Sequence, residues 1–129
     1  MNSLPLRCSL LIGVAYFCCM SVAHFFGLKQ PMLFVYYDTP FYAYQDKIIS
    51  FCAFAYAMFA FAALRARAAV VPFIIAMVGV VVGLSLVNLS PSLREVIGDD
   101  ASTVMYWAQT ALLALIILGL VLLFNKSEK

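Results

Sequence analysis

Charge is scarce in this chain. Asp, Glu, Lys and Arg together make up 11% of its 129 residues, against about 25% in an average soluble domain. The formal net charge is only +2, and no run of lysines or arginines exists to follow a phosphate backbone. No nucleic-acid partner is therefore expected. There is one histidine, His24. A haem would normally want an axial histidine deep in a helix, often two, so no haem is expected. No nucleophile–base pair and no metal-ligand cluster is readable. The reading leans against an enzyme and expects neither metal nor cofactor; His24 acting alone as a base is the weakest of the alternatives.

Cysteine is present but not arranged for chemistry. Cys8, Cys18, Cys19 and Cys52 lie in apolar runs, and no CxxC occurs. A disulfide framework or a thiol oxidoreductase has little support. The vicinal pair Cys18–Cys19 would suit a soft metal ion. Adjacent helical residues, however, point about 100° apart, and no second pair exists to complete a ligand set.

Apolar residues are what the chain has in quantity: 66% by composition, against about 45–50% in soluble domains. A chain this short cannot hide so much apolar surface inside itself, whereas a bilayer can accept it. Four runs, residues 8–27, 48–64, 68–88 and 103–124, carry no Asp, Glu, Lys or Arg. Each meets the roughly 17–25 residues that a spanning helix needs, the second only just. The runs are continuously apolar, whereas barrel strands alternate. The expected fold is all-α: a single integral membrane domain over residues 1–129, built as a four-helix transmembrane bundle with antiparallel neighbours. The dense valines of the third run (Val78, Val80, Val81, Val82) would hint at a strand in water, but lipid and length override that. Ser21-Val22-Ala23 offers the small residues of a signal-peptide cleavage site. The apolar run continues past it to Phe25 and Phe26, which favours a retained helix. The absence of any ionisable Asp, Glu, Lys or Arg within the spans argues against a proton-coupled exporter.

Orientation follows from Lys and Arg. Arg7, Arg65, Arg67, Lys126 and Lys129 fall on one side; Lys29, Lys47 and Arg94 fall on the other. Five against three places both termini in the cytoplasm. The expected location is a bacterial inner (plasma) membrane.

Helices in lipid associate by close approach over small residues, because lipid tails are as apolar as leucine. Ala53, Ala57 and Ala60 form such a stripe on the second span, and Ala76, Gly79 and Gly83 form another on the third. The two stripes are expected to be packing faces that meet each other, with a contact between subunits as the alternative. Gln109 and Thr110 are expected to hydrogen-bond between helices, and Tyr106 and Trp107 to stand in an interfacial aromatic belt. Pro72 either kinks the third helix or occupies its first turn.

The stretch from Leu28 to Lys47 is twenty residues long. Loops above about 12–15 residues are uncommon unless functional or disordered. This one is rich in aromatics (Phe34, Tyr36, Tyr37, Phe41, Tyr42, Tyr44), which suits a lid in the headgroup region. Polar groups converge on it: His24, Tyr36, Tyr37, Asp38, Gln45 and Asp46 form a candidate outer ligand site. The plainer reading leaves His24 as an interfacial residue and Asp46–Lys47 as a helix start. Further along, Ser90 as a cap, Pro91 at a first position and Gly98 as a stop spell a short helix, with Leu93, Val96 and Ile97 toward lipid.

The functional expectation is a small non-catalytic membrane protein, an accessory or structural subunit of a larger membrane complex. Its partners would be membrane lipids and either a membrane protein or further copies of itself. The alternative is binding or transport of a small amphipathic ligand, a lipid or quinone, at an outer-leaflet site.

Overall fold

The computed structural model describes residues 2–28 and 43–127, and they are all-helical. Helix α1 covers Leu4–Phe26 and α2 covers Ala43–Arg65. A single 3₁₀ turn, Arg67–Ala69, leads into α3 (Val70–Leu89). The short α4 (Pro91–Ile97) follows, then α5 (Val104–Lys126). Four of the five, all but α4, are long and apolar enough to cross a membrane.

Local chemistry sets the helix ends. Pro5 sits in the first turn of α1, where a missing N–H costs nothing because that turn has no intrahelical acceptor. Gly27 ends the helix at φ 65°, a left-handed conformation that glycine adopts without a Cβ penalty. The Leu28 N–H then reaches back to the Ala23 carbonyl at 2.8 Å, a cap on carbonyls the helix leaves open. Helix α2 begins five residues earlier than the apolar run suggests. It draws Gln45, Asp46 and Lys47 into its first turns, where an acidic side chain is favoured by the helix dipole. Pro72 occupies the first turn of α3. The valines of α3 are helical.

The α4 segment has the bounds its punctuation implies, with Gly98 at φ 89° closing it. Ser90 makes no forward cap; its hydroxyl turns back to the Val87 carbonyl. Leu93 is buried rather than lipid-facing, while Val96 is exposed. The expectation of three outward side chains gives way because so short a helix, packed on α3, has one face to bury.

Helix α1 lies along α2, and α3 along α5. The start of α1 meets the end of α2, where the Asn2 side-chain amide donates to the Ala63 carbonyl at 2.8 Å. The start of α3 meets the end of α5, where Arg67 donates to the Ser127 hydroxyl at 2.6 Å and its guanidinium stacks 4.4 Å from the Phe124 ring centroid. At this end all four long helices share one buried cluster: Leu6 and Leu10, Ala60 and Ala63, Val70, Phe73 and Met77, and Leu120. Towards the opposite end the buried residues belong to one pair or the other, with Ala23, Ser50 and Ala53 in the first and Asn88, Tyr106 and Thr110 in the second.

The small-residue stripes differ from expectation in their partner. Ala57, Ala60 and Ala63 are completely buried and Ala53 nearly so, but the residue facing Ala60 is Gly13 of α1, whose Cβ position lies 4.0 Å from the Ala60 Cβ. Ala76 is partly buried; Gly79 and Gly83 are exposed, and a Cβ built on either meets nothing within 4 Å. The alanine stripe is taken by α1 because one small residue, Gly13, stands at the matching height. Tyr106 is buried and only Trp107 is outward, a consequence of the 100° step between neighbours. Thr110 accepts from the Asn88 side-chain amide at 3.0 Å, while the buried Gln109 Oε1 has no partner among the described residues.

Candidate functional site

The seam between α1 and α2 ends in a polar contact. On α1, Leu6, Leu10, Gly13, Phe17 and His24 recur at helical spacing; on α2, Asp46, Ser50, Ala53, Ala57 and Ala60 do so. Both sets fall on the facing sides, and with the two helices in register His24 meets Asp46. The imidazole Nδ1 and the carboxylate Oδ1 are 2.5 Å apart, with 23% and 20% of the two side chains exposed. An ionised carboxylate can only accept, so the Nδ1–H donates. This fixes the ring's orientation at the end of the helix pair. Ser50, one turn deeper, is buried and turns its hydroxyl to the Lys47 carbonyl at 2.6 Å.

Of the residues named from the sequence, the structure therefore brings His24 and Asp46 together. Gln45 is exposed in the first turn of α2. Tyr36, Tyr37 and Asp38 lie outside the described residues. No group of three or more His, Cys, Asp or Glu that could hold a metal occurs among the described residues. Cys18 and Cys19 are free thiols, the first partly buried and the second exposed, beside an apolar surface groove of about 310 Å³ on α1.

A larger groove was not anticipated. It runs along one flank of the α1–α2 seam, holds about 490 Å³, and is lined by Ser21, Val22, Phe25, Phe26, Ser50, Phe51 and Phe54. Lys47, one turn before Phe51 on α2, holds its ammonium 5.6 Å above the centroid of the Phe25 ring, one of the groove's lining residues. The spacing Ser21/Phe25 on one helix and Lys47/Phe51/Phe54 on the other carried that signal. Reading it required knowing that these two flanks lie side by side.

No family model matches the chain, and searches of curated proteins and of solved structures found no significant match. The site must therefore be interpreted from its own chemistry.

Proposed function

We propose that the chain is a small non-catalytic integral membrane protein acting as an accessory subunit of a larger membrane complex. The supporting observation is the outward face of α3. Gly79 and Gly83 have nothing within 4 Å of a Cβ position, although glycine costs a helix about 1 kcal/mol relative to alanine. Among the described residues that cost has no return. Against a second helix it permits the close backbone approach that drives association in lipid. In this reading the four spans are antiparallel neighbours in a bacterial inner membrane, with both termini and the Ala66 connection in the cytoplasm.

The test is affinity purification in a mild detergent, followed by mass spectrometry, of the wild type and of Gly79→Leu and Gly83→Leu. We expect a stoichiometric membrane partner, or a second copy of the chain, with the wild type. It should be lost from both variants while their helicity is unchanged. A wild type that runs alone as a monomer overturns the reading.

A second reading is favoured by the His24–Asp46 contact beside the flank groove: binding of a small amphipathic ligand, a lipid or quinone, at the outer end of α1 and α2. A fixed polar pair next to an open apolar channel is the arrangement such a molecule needs. Retention of a stoichiometric small molecule by the purified wild type supports it, and its absence from gently solubilised protein counts decisively against it.

A further inference from the structure

We infer that the flank groove of the α1–α2 pair binds an anionic phospholipid, its headgroup at Lys47 and one acyl chain lying against Phe25, Phe51 and Phe54. The inference rests on the second reading above and names its ligand.

The shape of the groove and the charge beside it carry the inference. The groove is hydrocarbon-like: of its seven lining residues only Ser21 and Ser50 are polar, and the Ser50 hydroxyl is already committed to the Lys47 carbonyl. Phe25, Phe51 and Phe54 each leave about half of their surface uncovered. The groove is shallow and open along the flank, with about 490 Å³ of space, so it offers a surface for an acyl chain to lie along rather than an enclosed cavity. From Lys47 to Phe54 the helix descends about 10 Å, so the groove enters the hydrocarbon from the headgroup level.

The charge at its mouth is unspent. Asp46, the nearest carboxylate in sequence, points about 100° away around the helix and is engaged by His24 across the seam. Lys47 makes no ion pair among the described residues; it lies against the face of Phe25. That contact holds the ammonium beside one of the groove's lining rings without neutralising it. A phosphodiester supplies the missing negative charge and brings a chain that fits the apolar channel. A neutral quinone would fill the channel and leave the lysine unanswered.

The experiment uses the full chain in vesicles of phosphatidylcholine with a minor fraction of phosphatidylglycerol, followed by native mass spectrometry of retained lipid. We expect one phosphatidylglycerol held in preference to phosphatidylcholine. Lys47→Ala should reduce that preference about fivefold, the factor one basic residue near the surface contributes, and Lys47→Arg should keep it. Phe51→Ala should weaken retention of both lipids, and Lys126→Ala should change nothing. Circular dichroism confirms that each variant remains helical. Equal retention of the two lipids by the wild type, or an equal loss with Lys126→Ala, overturns the inference. A retained quinone in protein purified from cells overturns it too but sustains the second reading; a chain that holds no small molecule at all defeats both.

Discussion

His24 and Asp46 keep less than a quarter of their side-chain surface in contact with solvent, so their contact replaces interactions that water would otherwise make. Removing His24 takes the Asp46 carboxylate's partner away, and removing Asp46 takes one polar contact from the imidazole. We expect His24→Phe or Asp46→Leu alone to cost on the order of 1–3 kcal/mol in reversible unfolding from mixed micelles. The double variant should cost less than the sum of the two. Additive losses would mean that the pair is not coupled. The Asn88–Thr110 contact is of another kind, a neutral bond between helices, in which the Thr110 hydroxyl also donates to the Tyr106 carbonyl at 2.9 Å. A double-mutant cycle with Asn88→Ala and Thr110→Val should give a coupling of about 0.6 kcal/mol and at most about 1.7 kcal/mol. Thr110 was legible from the sequence as an interhelical donor or acceptor. Its partner was not, because one asparagine at the end of an apolar run carries no mark of which helix it faces.

Within the helices, the two small-residue stripes make opposite predictions. Ala57 and Ala60 are completely buried, and Ala60 faces Gly13 across the α1–α2 seam. Inserting a larger side chain there pushes the helices apart, so Ala57→Leu or Ala60→Leu should destabilise by about 1–3 kcal/mol. At Gly79 and Gly83 there is open space beside the helix. Gly79→Ala should leave the thermal unfolding of the isolated chain unchanged or raise its stability by up to about 1 kcal/mol. A loss of stability there would show that α3 has an internal neighbour. The stripes themselves were readable, being a matter of spacing along one helix. Which stripe meets which helix depends on the rotation of each helix about its axis, and the near-uniform apolarity of these spans leaves that rotation unmarked. The short α4 was readable for the opposite reason: Pro91 and Gly98 act on the backbone locally, whatever the rest of the chain does.

At the scale of the molecule, polar fastenings hold the ends and an apolar cluster joins the helix pairs. Asn2 ties the start of α1 to the end of α2, and Arg67 ties the start of α3 to the end of α5. Arg67→Ala should speed hydrogen exchange in the last turn of α5, while Arg67→Lys, which cannot keep two donors in one plane, should recover only part of the protection. Exchange that is unaltered by either change would place the fastening of α5 elsewhere. A reporter fused after residue 129 should behave as cytoplasmic if the proposed orientation holds, and a periplasmic signal would invert it. The amino-acid sequence by itself determined that the chain makes long apolar helices, where all four end to within two residues, and which residues are small enough for close packing. Those properties follow from side-chain chemistry acting over one or two turns. The tertiary structure alone decided that Ala60 of α2 meets Gly13, that His24 reaches Asp46, and that Lys47 stands over the Phe25 ring. Such contacts join residues on different helices, and in a chain whose helices are apolar on every side only packing in three dimensions selects the faces that meet.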